Sequence, residues 1–232
     1  MTTGRMVLIG FLLIAGVFAG LTVYPSVFFA NTLNARNMVV YSREPIDMSS
    51  ADLLGRVRDK VFADEFADAG QTFEVYLGSG YGKYALLAPF CGKTFACMHP
   101  LSGKIFVALA DMQKNQALDP ADPSRTRVLE HVIAHEAVKA QLRNKLGPLK
   151  YFTLKEWQTD GYAEHVAMET ADADPALICQ GAAARDPRAL FFKHRLVIED
   201  LKMMEDLTYP AIMEGNRTPD KSIKNVTQKY CR

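Results

Sequence analysis

His135 and Lys139 stand four residues apart in the run SRTRVLEHVIAHEAVKAQLRNKLG, residues 124–147. There Val128, Val132, His135, Lys139, Leu142 and Leu146 recur at steps of three and four. That period is helical, so both polar side chains share a face with apolar ones. A cationic Lys in an apolar stripe needs an acid beside it, because an unpaired buried charge loses more solvation than packing returns. Asp160 and Glu164, also four apart, share one face of the next helical run, EWQTDGYAEHVAMET. Gly147 and Pro148 close the first helix, and the short link lets the two pack as neighbours. The chemistry these residue types dictate first is an ion pair of Lys139 with Asp160, Glu136 or Glu164.

A metal is the other chemistry this spacing allows. His131 precedes His135 by one turn, and Asp160, Glu164 or His165 would complete a zinc ligand set. The residue that follows His131 is Val132, not an acid.

The string Ile133-Ala134-His135-Glu136, followed by Trp157-Gln158-Thr159-Asp160-Gly161-Tyr162-Ala163-Glu164, resembles the gluzincin branch of zinc metallopeptidases, specifically the small peptidase-MA-like domains. Those carry AHExxH on one helix and W-x-x-E-G-x-A-E-Y on the next. The resemblance implies an α+β, zincin-like domain over 49–210, with a small sheet and an active-site helix pair. Matched position by position, it implies His135 as first zinc ligand, Glu136 as general base and Asp160 as third ligand, shortened by one methylene. Lys139 falls where the second ligand His belongs, and an ammonium has no lone pair to give a metal. His165 replaces the usual Tyr. The expectation is a catalytically inactive, metallopeptidase-like domain without a cofactor, acting in protein or peptide binding, with Lys139 standing in for the metal charge. Two alternatives stay open: a zinc-dependent peptidase with non-standard ligands, and a structural subunit of an envelope complex.

The elements that must hold these residues begin with an apolar run. Between Arg5 and Arg36 there is no charged residue, and 6–30 reads MVLIGFLLIAGVFAGLTVYPSVFFA. As a helix it would reach roughly 37 Å, more than a hydrocarbon core of about 30 Å. A transmembrane anchor is expected over 6–30, after a short segment 1–5, with Tyr24, Phe28 and Phe29 at the interface. A cleaved signal peptide ending near Val17-Phe18-Ala19 is the rival. The anchored reading makes this a single-pass membrane protein with a cytoplasmic N-terminus and a periplasmic or extracellular C-terminal domain.

All four cysteines, Cys91, Cys97, Cys179 and Cys231, follow that run, and an even number in an exported domain pairs. Of three possible connectivities, Cys91 with Cys97 and Cys179 with Cys231 is the one expected, the second tying down a tail over 211–232. Setting Arg5 aside, 26 of the 27 Lys and Arg remain against 26 Asp and Glu, which leaves no electrostatic footprint for nucleic acid.

Residues 31–48 read as a polar stalk, and ADLLGRVRDKVFADEF, capped by Ser49 or Ser50, as an amphipathic helix. TFEVYL (72–77), KYALLAPF (83–90) and KIFVALA (104–110) read as strands, with GSGYG between the first two as a turn rather than a phosphate loop. PRALFFKHRLVIEDLKMMEDL (187–207) reads as a further helix and the tail as irregular. His99 and His194 are expected to be packing or surface residues. Asn216 and Asn225 match glycosylation acceptors of a eukaryotic secretory pathway.

Overall fold

Apolar residues at alternating positions of three strands set the layering of this α+β chain. A computed structural model describes residues 5, 8–10, 16, 20, 24–183, 188–214 and 218–231, with the side chains of 180–183 left aside. β1 (Asn31–Ala35) and β2 (Met38–Ser42) form a hairpin whose two turn residues, Arg36 and Asn37, both have positive φ (54° and 63°). That is the turn whose twist matches paired strands. β2 runs parallel to β3 (Phe73–Leu77), β3 parallel to β5 (Ile105–Val107), and β4 (Ala96–Met98) closes the order β1-β2-β3-β5-β4 antiparallel to β5. α1 (Ser50–Phe62) makes the β2–β3 crossover and buries Leu53, Leu54, Val57 and Val61. A second, antiparallel sheet follows: β6 (Ala110–Asp111), β7 (Gln116–Asp119) and β8 (Asp122–Val128).

One face of the five-stranded sheet, with Val40, Val75, Leu77, Ile105 and Val107, shares the main core with α1 and the long helix α3 (Leu129–Leu146). The other face, with Tyr76 and Phe106, packs under α2 (Tyr81–Leu87). After the short α4 (Pro148–Thr153), α5 (Glu156–Ala167) lies between α3 and α6 (Ala189–Glu205). α5 and α6 approach so closely that a Cβ on Gly161 would lie 2.6 Å from the His194 carbonyl oxygen, so this position requires glycine. α7 (Tyr209–Glu214) and α8 (Asp220–Tyr230) complete the chain.

Both expected disulfides are present, Cys91 with Cys97 and Cys179 with Cys231. The transmembrane anchor needs correction: among the described residues no helix is long and apolar enough to cross a membrane. Much of 6–30 lies outside the described residues, but its end is inconsistent with one continuous span. Pro25, which has no N–H to continue a helix, opens a 3-10 turn over Pro25–Phe28 and is itself buried. Phe29 then packs on Tyr76, with ring centroids 5.3 Å apart. The single-pass localisation built on that span is corrected with it.

Four local expectations also change. Residues 31–48 supply the β1–β2 hairpin rather than a stalk, and Leu33, Met38 and Val40 reach the core. KYALLAPF forms a helix, because Tyr84 and Leu87, three apart, turn toward the aromatic face while Lys83 and Leu86 stay outside; Pro89 stops it. The helix expected from Ser124 begins at Leu129, since 122–128 pairs with β7 and Asn115 caps the helix start, its Oδ1 accepting from the Glu130 N–H at 2.8 Å. The tail is helical: Ser222 and Val226 of α8 pack inward near the Cys179–Cys231 bond.

Candidate functional site

α3 and α5 face one another with His135, Glu136, Lys139, Asp160 and Glu164 turned toward the shared interface. His135, 2% exposed, has Nε2 3.6 Å from Asp160 Oδ1 and Nδ1 3.5 Å from Glu164 Oε2. At these lengths the contacts are ion pairs rather than hydrogen bonds, and both ring nitrogens lack a hydrogen-bond partner. Lys139 Nζ sits 3.1 Å from Asp160 Oδ1 and 3.5 Å from Glu136 Oε2. Asp160 therefore lies between the two cations, as the shared face of the sequence requires.

Two of these carboxylates also accept from backbone N–H groups. Glu136 Oε2 accepts the Met98 N–H at 2.6 Å, which pins edge strand β4 to α3. Glu164 Oε1 accepts from both the N–H and the hydroxyl of Thr170, at 2.6 and 2.8 Å. Thr170 reaches it because α5 ends at Met168 in the left-handed conformation (φ 57°), folding the chain back.

Burial alone would favour the neutral forms of these groups, and the neighbours overturn it. Burial lowers the His135 pKa, but Asp160 and Glu164 beside the ring outweigh that and push it up to about 9. The ring is therefore an imidazolium at neutral pH, with two donors and no lone pair. Lys139 is likewise held protonated, burial opposing and Glu136 and Asp160 prevailing. Asp160 stays ionised well below the usual carboxylate range: burial raises its pKa, but Lys139 and then His135 lower it further. Glu164 is lowered too, burial again being outweighed by His135 and Thr170. Tyr151, alongside, is pushed up to about 12 by burial.

These residues do not fit a zinc ion as they stand. The Lys139 ammonium occupies the carboxylate oxygens that would serve the metal and brings a positive charge, with no lone pair, to the place of the second ligand. Among the described residues no group of three or more His, Cys, Asp or Glu is disposed to hold a metal. Of the alternative ligands, Glu164 lies beside His135, while the two histidines are turned elsewhere. His131 sits one turn away, its pKa lowered by burial and by Lys60. His165 uses both nitrogens elsewhere, Nδ1 at 3.2 Å from Glu199 Oε1 and Nε2 at 2.5 Å from the Tyr209 hydroxyl.

One part of the cluster carried no clear sequence signal. Arg127, at the end of β8, forms a bidentate pair with Glu169, the carboxylate buried and the guanidinium partly so. Its guanidinium lies over the rings of Phe95 (5.4 Å) and Phe191 (5.2 Å), and Phe191 packs on the His135 ring at 5.0 Å. The pair closes the N-terminal end of the cluster. Forty-two residues separate its members, so no spacing rule reveals it. His99 is a packing residue as expected: it is fully buried between Phe90 and Phe106, with Nδ1 accepting the Ser102 N–H at 3.2 Å. Of the glycosylation acceptors, Asn225 donates to Asp200 Oδ2 at 3.2 Å, and Asn216 lies outside the described residues.

Comparison of the chain with protein-family models, with curated proteins and with solved structures gave no match.

Proposed function

We propose that this domain is a catalytically silent counterpart of the gluzincin peptidases that acts by binding a protein or peptide segment in an oxidising compartment. The observation that carries the reading is the position of Lys139, with Nζ within 3.5 Å of both Glu136 and Asp160. These are the carboxylates that, by the resemblance, would polarise the attacking water and hold the metal. Glu136 also accepts the Met98 N–H, so it serves as a structural acceptor with two donors on one oxygen and is poorly placed to take a proton from water. The two disulfides support the compartment.

The surface offered to a peptide is β8. It is the outer strand of the three-stranded sheet, and 122–126 is exposed. The Leu129 N–H donates toward β7, to Asn115 O, so alternation turns the N–H groups of Thr126 and Val128 outward. An unpaired strand edge is a template for an extended peptide. Beside it opens a cleft of about 560 Å³ lined by Phe95, Gln116, Arg125 and Arg127. The corresponding edge at β4 is less open, because Glu136 holds the Met98 N–H.

Metal analysis of the full chain tests the silent site. We expect no stoichiometric zinc, no chelator-sensitive cleavage of a peptide library, and no change on Glu136→Gln; stoichiometric zinc that is lost on His135→Ala would overturn the reading. Lys139→His, which restores the HExxH letters, should gain zinc affinity. Selection from a random peptide library tests the binding surface. Thr126→Pro removes one outward N–H from an edge strand, where proline is tolerated, and should abolish capture of the selected peptides without unfolding the domain.

A further inference from the structure

On the opposite side of the sheet from the charged cluster is a second cavity, of about 200 Å³. Its walls are Phe28, Phe29, Tyr76, Leu86, Leu87 and Phe106. The polar backbone near its floor is already engaged: the Gly78 N–H donates to Val107 O at 2.7 Å and the Gly80 N–H to Ala108 O at 2.9 Å. Side-chain charge occurs only at the rim, as Arg43 and Lys83, both exposed. Lys83 donates to the Ser79 hydroxyl at 3.2 Å, and among the described residues neither cation meets a carboxylate. Some other exposed cations are drawn to acids, as Lys114 is to Asp111 at 2.8 Å and Arg125 to Asp119 at 2.9 Å.

We propose that this cavity binds a medium-chain aliphatic carboxylate, with the alkyl tail among the aromatic and leucine side chains and the carboxylate between Arg43 and Lys83. Size and polarity choose the occupant. An apolar cavity of about 150 Å³ suffices for benzene, so one somewhat larger suits an alkyl chain of roughly eight carbons. A peptide would bring amide groups into walls that have no free partner for them, at a cost per group that packing does not recover. Two unpaired cations at one mouth favour an anionic head over a neutral or cationic one. This site is separate from the helix-pair cluster, and its test is independent of the metal and peptide experiments above.

Calorimetric titration of the full chain with octanoate, octanol and octylammonium, each below its micelle concentration, decides the matter. The expected result is one octanoate per chain, bound more tightly than octanol, with octylammonium weakest. The double substitution R43A/K83A should weaken octanoate by about three- to tenfold at low salt and leave octanol unchanged, because exposed charge contacts are modest and screened. L86W, at a half-exposed wall position, should block both ligands while the chain keeps its thermal transition. Absence of octanoate binding, equal affinity for octanol, full octanoate binding in L86W, or tighter binding of an acetylated dipeptide ending in leucine would each overturn the proposal.

Discussion

On one face of the five-stranded sheet, Val75, Ile105 and Val107 share a core with α3, which carries His135, Glu136 and Lys139 inward to meet Asp160 and Glu164. On the other face, Tyr76 stacks between Tyr41 (4.7 Å) and Phe106 (5.1 Å) beneath α2, beside an open apolar cavity. The first region is close-packed and depends on mutual neutralisation of charge. The second depends on area, with its charges left at the rim. The difference matters because the two regions should fail differently: charge clusters collapse when one member is removed, whereas aromatic layers lose stability in proportion to what is cut away.

The largest effect should come from Asp160→Ala. It removes the carboxylate shared by His135 and Lys139, leaving one buried and one half-buried cation short of a partner, and is expected to cost about 3–5 kcal/mol in urea unfolding. Adding Lys139→Met to that variant should cost less than the two single changes summed, because the second removes a charge that the first has stranded. Strict additivity would mean that the cluster is solvated and that the contrast between the two faces is false.

Next in size is a pH dependence confined to the charged face. The His135 pKa is raised from 6.5 to about 9 in the folded chain. Its contribution is therefore complete below pH 6.5 and is lost as the pH rises through 9, an effect on the order of 3 kcal/mol. Asp160 and Glu164 are shifted the opposite way, so their contribution is present above the ordinary carboxylate range and is lost as acid protonates them. Unfolding free energy should thus decline on both sides of neutrality. His135→Gln should flatten the alkaline arm and soften the acid arm as well, because the same imidazolium helps hold Asp160 and Glu164 ionised; an alkaline decline unchanged in that variant would assign the titration to another group.

How much of this was legible in the sequence follows the same division. The three- and four-residue spacing through His135 and Lys139 located the charged helix, and Asp160 four before Glu164 located its partner, because helical period fixes a face before any fold is known. The disulfide pairing was legible from position. Contacts across long separations were not: Glu136 with Met98 and Arg127 with Glu169 depend on how sheet and helices dock. KYALLAPF reads as a strand because a short apolar run satisfies both periods, and only the face against which Tyr84 and Leu87 pack selects the helix. In 6–30, hydropathy alone suggested a span, whereas Pro25 and the docking of Phe29 on Tyr76 put its end in the folded domain.

On the aromatic face, Leu87→Ala should cost about 2 kcal/mol, the low end for a buried leucine, because the side chain already borders open space and leaves less new cavity. Its cost should be the same at neutral and alkaline pH, since no group of the charged cluster touches it. A cost that varied with pH would couple the two faces through the sheet.

The smallest effect, and the sharpest test of the contrast, is expected for Tyr76→Phe. The hydroxyl donates to Glu74 Oε2, and Lys104 Nζ also lies 3.2 Å from that oxygen, so the carboxylate keeps a charged partner when the hydroxyl is gone. The ring keeps both stacking neighbours. What is lost is one half-buried hydrogen bond, about 1 kcal/mol. Tyr76→Ala, by comparison, deletes the ring and should cost several times as much. If the phenylalanine variant instead lost as much as the alanine variant, the polar tip and not the aromatic area would be holding this layer. The two faces of the sheet would then both be organised by buried polar contacts.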